Sequence, residues 1–473
     1  LGTIVPILLN FVVLTPFYTR IFTRAEYGVI TELYSYMIVL LIILTYGMET
    51  GFFRFYKSSK NKAELFSTLT SSLFITSALF IVLVNVFIQP IASFLEYQNN
   101  EYYVLLFAYI VGLDSFVSVS FAKLRAQNKA FRFALIKLIN VGVIIILSVL
   151  ILVVFKNNRN NVEWMNALYN RSIGVGYVFI INAVASTITL LLLIPEIVNE
   201  FKLKFNKKIF RSVIVYSFPL LIAGLAGSIN EAIDRIILKH FIDGTNEALI
   251  QLGIYGANYK LAVFMTLFIQ MFKYAAEPFF FSVAGEKDSK QVYADVMRYF
   301  IIFGLIIFLG IIFYIDIFKH FIDKKFHEGL FIVPIVLMAN LFLGIFYNLS
   351  VWYKINDLTK YGAIISITGA VITIVANIIL IPLMGYEGCA WAHLICYASM
   401  VIISYLLSLK HFKINYNLSK IAIYFLIAMG AFIIVKSIDY ENMVIKYAVN
   451  TLILLGIIAF FEKKEGLIKI FLR

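Results

Sequence analysis

Long apolar segments constrain the fold of this chain more than any other feature. Each holds about 20 residues, the length that crosses the hydrocarbon core of a bilayer as an α-helix, and short charged or turn-rich connections separate them. Because backbone polar groups find no water inside a bilayer, such segments are expected to be helical. The predicted spans number fourteen and lie near residues 1–19, 28–53, 65–88, 102–122, 133–155, 173–195, 212–241, 254–282, 298–318, 329–352, 361–383, 387–409, 418–436 and 443–461.

The composition excludes a water-soluble protein. Hydrophobic residues make up 62% of the chain and charged residues 14%, whereas soluble domains are about half apolar and about a quarter charged. This leaves too little polar surface to cover a soluble body of 473 residues. The predicted fold class is therefore all-α, in a polytopic membrane protein surrounded by membrane lipids.

Basic residues alternate between successive connections, and the alternation predicts an orientation. Twenty-five Lys and Arg residues lie in or near the connections on one side, against ten on the other side. Cytoplasmic loops carry the excess of Lys and Arg, so both termini are expected in the cytoplasm. Topology thus accounts for the net charge of +13, and no nucleic-acid partner is expected.

The chain shows no motif of an enzyme. Its five His residues are scattered, without an HExxH motif, a Ser/His/Asp spacing or a Gly-rich phosphate loop. Cys389 and Cys396 lie in one apolar stretch and are expected to be packing residues, since a zinc site needs about four close ligands. The connections are too short for a folded extramembrane domain. We therefore expect neither catalysis nor a metal or other cofactor.

A repeat at an offset of 228 residues divides the chain into two halves. Glu49 aligns with Glu277, and Asn128 aligns with Asn356. Many transporters consist of two such repeats, with the substrate site between them. The predicted parts are two pseudo-symmetric six-helix lobes at 1–196 and 212–412, a cytoplasmic linker at 197–211, and two further helices with a cytoplasmic tail at 413–473.

Short motifs resemble those of a known transporter family. Residues 19–29 read TRIFTRAEYGV, residues 216–220 read YSFPL, and residues 127–129 read QNK. These motifs are similar to those of the Wzx-type polysaccharide flippases, which belong to the multidrug/oligosaccharidyl-lipid/polysaccharide exporter superfamily. The resemblance extends over nearly the whole chain, but the motifs are degenerate and identify the superfamily better than the substrate.

The resemblance implies a function and a location. Members of this kind move undecaprenyl-diphosphate-linked oligosaccharides across the bacterial inner membrane by alternating access, for O-antigen, capsule or exopolysaccharide assembly. The implied partners are the polyprenyl-diphosphate-linked oligosaccharide, a polysaccharide polymerase and other assembly proteins. A multidrug exporter of organic cations and a murein-precursor flippase remain alternatives from the same superfamily.

A diphosphate head group needs fixed cations along its path. Arg suits this task because its planar fork matches phosphate oxygens, and Lys adds a point charge. Each candidate also has a simpler interpretation, since basic side chains near helix ends extend to the interface and neighbouring charges can pair. The candidate substrate-binding residues are Arg20, Arg24, Arg54, Arg235, Lys260 and Lys273.

Three carboxylates are candidates for coupling transport to a Na⁺ or H⁺ gradient. Asp114 stands alone in the middle of the fourth predicted helix, and Glu49 and Glu277 are the acidic pair of the repeat. Ionisable groups at membrane depth are costly and normally face a cavity or each other. Asp114 is expected either to bond to a neighbouring helix or to take part in ion coupling.

The predicted topology can be tested by thiol labelling. In a chain without Cys389 and Cys396, Gln98→Cys should react with a membrane-impermeant maleimide added outside intact cells. Lys60→Cys should react only after the membrane is permeabilised, because its connection carries the cytoplasmic excess of basic residues. Labelling of Lys60→Cys from outside would reverse the orientation.

Overall fold

The computed structural model describes residues 4–156, 169–199, 205–438, 440 and 442–466. In this part of the chain all regular secondary structure is helical. Thirteen helices are long and apolar enough to cross a membrane, and a helix pair bent by 52° makes fourteen if the pair is counted as one span. The all-α polytopic fold predicted from the sequence is confirmed. The spans are α1 (Ile4–Ile21), α2 (Arg24–Thr45), α3 (Lys62–Val86), α4 (Glu101–Ala126), α5 (Ala130–Phe155), α6 (Gly176–Val198), α7 (Lys207–Phe241), α8 (Thr245–Lys260 with Val263–Ser282), α9 (Ser289–Phe313), α10 (Lys324–Ile355), α11 (Thr359–Met384), α12 (Tyr386–His411), α13 (Leu418–Ser437) and α14 (Met443–Glu465).

Some boundaries differ from the predicted ones. The second span ends at Thr45, because Tyr46 and Gly47 adopt left-handed backbone conformations with φ of 32° and 73°. A short helix, Met48–Tyr56, then continues the chain. Such left-handed residues interrupt a right-handed helix, and the apolar pattern runs through this break without marking it.

The connection between α1 and α2 is a tight corner built by the first motif. Thr23 caps α2: its hydroxyl accepts a hydrogen bond from the Glu26 N–H at 3.2 Å, and its own N–H donates to Glu26 Oε2 at 2.8 Å. This reciprocal arrangement is a capping box, which satisfies two N–H groups at the start of the helix. The motif at residues 19–29 therefore fixes the angle between the first two spans.

The described structure divides into two compact units, Leu1–Gly253 and Ile254–Arg473. The first unit holds α1 to α7 and the first turns of α8, because α7 packs along α2. The predicted lobes and linker were defined by the sequence repeat, whereas the two compact units are defined by contacts in the structure. The lobes and the linker therefore remain predictions. Residues 157–168 of the longest connection, residues 200–204 of the linker and residues 467–473 of the tail lie outside the described part.

Two glycines allow close contact at one end of the first unit. A Cβ atom on Gly28 of α2 would overlap the Leu249 carbonyl oxygen, and a Cβ atom on Gly253 would overlap the Arg24 carbonyl oxygen. The two backbones therefore touch where any larger residue would separate them. This contact joins the first turns of α2 to the first turns of α8.

The core of the second unit forms around α10, α11 and α12, which contact one another. Trp352 is fully buried there and donates its indole N–H to Ser404 Oγ at 3.2 Å. Cys389 and Cys396 are buried free thiols, as expected for packing residues.

Two pairs of helices start at nearly the predicted offset. The helices α3 and α9 each contain 25 residues, and their first residues, Lys62 and Ser289, are 227 positions apart. The first residues of α5 and α11, Ala130 and Thr359, are 229 positions apart. The starts of the other corresponding spans lie at smaller offsets, so the internal repeat remains a prediction.

The glycine contact makes a stability prediction. Gly28→Ala and Gly253→Ala should each lower the thermal unfolding midpoint in detergent, since overpacking costs about 1–3 kcal/mol. Gly142→Ala is the matched control, because a Cβ atom at Gly142 of α5 meets no neighbour within 4 Å. It should raise stability slightly, by about 1 kcal/mol or less, through helix propensity. Equal effects of all three substitutions would show that the contact is not tight.

Candidate functional site

A buried ion pair joins α2 to α7. Lys239 Nζ lies 3.1 Å from each carboxylate oxygen of Glu32, and the two side chains are 1% and 0% exposed. The ammonium also donates to the Leu95 carbonyl oxygen at 2.5 Å, so three oxygen acceptors surround it. The Tyr97 hydroxyl donates to Glu32 Oε2 at 2.5 Å. We refer to Glu32, Lys239, Tyr97 and the Leu95 carbonyl as the α2–α7 cluster.

The hydrogen bonds of the α2–α7 cluster offset a large desolvation penalty. Burying an unpaired charge costs several kcal/mol, and only good geometry with further hydrogen bonds compensates for it. Burial and the Glu32 charge hold the pKa of the Tyr97 hydroxyl well above its usual value. The phenol therefore stays protonated and donates a hydrogen bond to Glu32. The charged and polar groups of the cluster therefore keep their hydrogen-bond partners only while α2, α7 and the connection between α3 and α4 stay together.

Further contacts tie the same connections together. Thr245 Oγ1 donates to Glu96 Oε2 at 2.7 Å, and the rings of Phe94 and His240 lie 5.6 Å apart. The predicted topology places all of these groups on the side of the membrane opposite the termini. With the glycine contact, they join α2, α7, the start of α8 and the connection between α3 and α4 at this end of the first unit.

Three of the predicted substrate-binding cations lie on the helices at this end. Arg20 is exposed in the last turn of α1, and Arg24 begins α2. Arg235 is 8% exposed on α7, one turn before Lys239, and its Nη1 donates to the Glu231 carbonyl oxygen at 2.6 Å. The structure thus places an arginine on each of the two helices that the α2–α7 cluster joins.

The other predicted cations lie elsewhere. Arg54 is exposed in the last turn of Met48–Tyr56, so the whole length of α2 separates it from Arg24 within the first unit. In the second unit, Lys260 ends the first segment of α8, and Lys273 Nζ lies 4.6 Å from the centre of the Tyr347 ring. A single cationic lumen lined by all six residues remains a prediction.

The two repeat carboxylates each have a basic partner. Glu49 pairs with Arg125 in the first unit, and Glu277 pairs with Lys354 at 2.8 Å in the second. The acids are 228 residues apart and the bases 229, so one ion pair occurs at corresponding places in both units. Each pair is partly exposed, with side-chain exposures between 30% and 44%. Ion coupling by these carboxylates remains a prediction.

Asp114 lies in a polar layer between α4, α5 and α6. Ser186 Oγ donates to Asp114 Oδ1 at 2.9 Å, and the charge of Lys137 attracts the carboxylate. Asn140 Nδ2 donates to Thr189 Oγ1 in the same layer at 3.0 Å. The bond to a neighbouring helix, one of the two alternatives drawn from the sequence, is present, and ion coupling at Asp114 remains a prediction.

The sequence interpretation missed the α2–α7 cluster. Lys239 was counted among the basic residues near the outer connections, and the structure places it in the last turn of α7, where it is 1% exposed. Glu32 was not identified, although it lies in an otherwise apolar helix. Two ionisable residues of opposite sign inside two spans are themselves a signal of pairing.

Among the described residues, no group of three or more His, Cys, Asp or Glu side chains is arranged to hold a metal ion. The groups that can act on a ligand are therefore single charges, paired charges and hydrogen-bonding side chains. Such groups can bind and release an anionic head group.

Comparisons with known proteins give a family and a fold. A family model described as "Polysaccharide biosynthesis protein" matches residues 1–284. No curated protein sequence matches significantly. The chain is similar in structure to the lipid II flippase MurJ in an inward closed conformation, with a TM-score of 0.75, 16% identity, and 98% of each chain covered.

Two multidrug transporters are also similar in structure. One is an inward-facing MATE family transporter of the MOP superfamily, with a TM-score of 0.64, 11% identity, and coverage of 86% of this chain and 93% of that chain. The other is a Vibrio cholerae MATE transporter, with a TM-score of 0.55, 10% identity, and coverage of 86% and 95%. At these identities the likeness establishes the fold.

The α2–α7 cluster makes a prediction about stability. Glu32→Gln or Lys239→Met alone should destabilise the protein by about 3–5 kcal/mol, because each leaves a buried charge without its partner. The double variant should be more stable than either single variant. Thermal unfolding in detergent measures all three, with the partly exposed pair of Lys319 and Asp316 as a control, where Lys319→Met should cost about 1 kcal/mol or less. Additive losses in the double variant would contradict direct coupling of the two charges.

Proposed function

This chain belongs to the polysaccharide biosynthesis protein family, and we propose from this premise that it is a flippase for polyprenyl-diphosphate-linked oligosaccharides. In this proposal it moves the head group from the cytoplasmic to the outer leaflet of the bacterial inner membrane, with both termini in the cytoplasm. In the outer leaflet, a polysaccharide polymerase would then use the translocated lipid for O-antigen, capsule or exopolysaccharide assembly. The family match is the observation that carries the proposal.

The extent of the structural likeness favours a lipid flippase over a drug exporter. The lipid II flippase fold covers 98% of this chain, whereas the MATE fold covers 86%. The difference between the two covered shares corresponds to about the length of two spans. This chain has two such helices, α13 and α14, beyond its two predicted six-helix lobes. A likeness of fold supports this class without identifying the substrate.

In this proposal, cations of the kind that a diphosphate head group needs lie on three of the spans. Arg24 and Arg235 lie on α2 and α7, and Lys260 and Lys273 lie on α8. Arg binds phosphate through two parallel hydrogen bonds, and Lys binds it as a point charge. An exporter of organic cations would instead need unpaired acids, and Glu49 and Glu277 already have basic partners.

Alternating access gives the paired groups a role in the transport cycle. The α2–α7 cluster closes one end of the first unit, and release of the head group on that side requires it to separate. We propose that a Na⁺ or H⁺ gradient drives the cycle through Asp114, whose carboxylate lies in the polar layer beside Ser186. A change of charge at this buried carboxylate would change the packing preference of α4 and α6.

A murein-precursor flippase is the second candidate function. The similarity to the lipid II flippase along 98% of the chain favours it, and its substrate also carries a diphosphate. The two candidates differ in the sugar part of the substrate, so a test must compare both glycolipids.

Arg-to-Lys substitutions test the proposed contacts. In a host without its own polysaccharide flippase, wild type should restore surface polysaccharide, while Arg24→Lys and Arg235→Lys at matched membrane abundance should restore at least roughly tenfold less. The charge is kept and the planar fork is lost, which removes one charge-assisted hydrogen bond. Arg171→Ala, which removes an exposed arginine in the connection before α6, is the control and should complement fully.

Two outcomes would contradict the proposal. Full complementation by a variant with Ala at Arg20, Arg24, Arg54 and Arg235 together would exclude cationic recognition by these residues. Rescue of a host that lacks its murein-precursor flippase, without rescue of polysaccharide export, would assign the second function.

A further inference from the structure

Three oxygen acceptors contact the Lys239 ammonium, which also lies 4.3 Å from the centre of the Tyr97 ring. Two of them are the Glu32 carboxylate oxygens at 3.1 Å, and the third is the Leu95 carbonyl oxygen at 2.5 Å. A carboxylate and a phosphate group both present oxygens that accept charge-assisted hydrogen bonds from an ammonium. A phosphate group can therefore accept the same kind of hydrogen bond from Lys239 that Glu32 accepts.

A second cation lies on the same face of α7. Arg235 precedes Lys239 by four residues, so the two side chains are one turn apart, about 6 Å along the helix axis. Arg235 Nη1 donates to the Glu231 carbonyl oxygen at 2.6 Å and forms an ion pair with Asp234 Oδ1 at 3.7 Å. Two positive charges within one turn match a head group that carries two linked phosphates.

Separation of α2 from α7 would leave the charges of the pair without compensation. A ligand promotes such a separation only if it binds the separated state more tightly than the closed state. A diphosphate meets this condition at Lys239, since it replaces the lost carboxylate, and water entering the open end hydrates Glu32. A neutral sugar does not meet it at either charge.

We propose that Glu32 is an internal counter-ion which the substrate's diphosphate displaces from Lys239 when α2 and α7 separate. The inference rests on the proposed function and deepens it, since it makes Lys239 a binding residue for the head group and Glu32 its competitor. The two members of the pair then have opposite effects on ligand binding, whereas a purely structural pair has equivalent members.

Binding measurements on the purified full chain test this asymmetry. The probe is farnesyl diphosphate, a diphosphate with a short isoprenyl chain, and farnesol is the uncharged control ligand. Titration calorimetry in detergent should show that Lys239→Met weakens binding of the diphosphate by roughly tenfold or more, the loss expected for a hydrogen bond between charged groups. Glu32→Gln should strengthen binding, because the competitor is gone.

Spin-label distances report the separation itself. Labels at Gln98→Cys, exposed on the connection between α3 and α4, and at Asn246→Cys, exposed in the first turn of α8, are placed in a chain with Cys389→Ala and Cys396→Ala. Farnesyl diphosphate should lengthen the distance in wild type. In Glu32→Gln the distance should already be longer than in wild type without ligand. In the double variant Glu32→Gln with Lys239→Met the distance should also be longer than in wild type, and adding the diphosphate should not change it.

Glu196→Gln is the matched control. Glu196 is also a buried carboxylate of the first unit, 4% exposed and paired with Arg132 at 3.0 Å, but it lies at the opposite end, near the end of α6. It should change neither the distance nor the affinity. If Glu32→Gln or Lys239→Met does not fold alone, the double variant of Glu32 and Lys239 still tests whether the distance responds to the diphosphate.

The outcomes separate the inference from the proposed function. If wild type binds farnesyl diphosphate and Lys239→Met binds it equally well, the exchange at Lys239 is wrong while the substrate class stands. Equal changes in affinity in Glu32→Gln and Lys239→Met would show a structural pair only. If wild type does not bind the diphosphate, both the exchange and the proposed substrate class fail.

Discussion

The buried pair of Glu32 and Lys239 is the interaction on which the arrangement of the first unit depends. Both charges are removed from water, and each is compensated by groups from a different segment of the chain. Such a cluster leaves little freedom to its elements, because any displacement exposes a charge to apolar surroundings. It contributes to the packing of α7 with the first unit, together with Val213 in the apolar core near the start of α7, although the repeat assigns α7 to the second half of the sequence.

The same property suits the pair to a transport cycle. A hydrophobic contact of equal size would hold α2 and α7 together without regard to the ligand, whereas an ion pair can be replaced by an anion of suitable shape. Closure and recognition are then properties of the same atoms. The ion pairs that repeat in the two units, Glu49 with Arg125 and Glu277 with Lys354, contribute differently: they are partly exposed and join neighbouring helices within each unit.

The sequence was sufficient for the fold class and for most span positions, because apolar length and loop charge depend on the bilayer rather than on tertiary contacts. It was insufficient at α2, where two left-handed residues interrupt the helix within an apolar run. The Glu32–Lys239 pair was missed for a related reason. Its two residues are 207 positions apart, and neither has a local spacing that identifies its partner. Arg20 and Arg24 of the first motif were named as candidates because a diphosphate needs cations, and the structure places them beside the tight corner between α1 and α2.

The central claim is that this chain moves lipid-linked oligosaccharides, and the most direct test is transport by the purified protein in proteoliposomes. Three fluorescent substrates would be compared under an imposed H⁺ or Na⁺ gradient: an undecaprenyl-diphosphate-linked oligosaccharide, lipid II, and an organic cation dye. We expect the oligosaccharide lipid to cross the membrane fastest of the three, and we expect the dye not to cross. Transport of the dye alone, or transport of lipid II without the oligosaccharide lipid, would contradict the central claim.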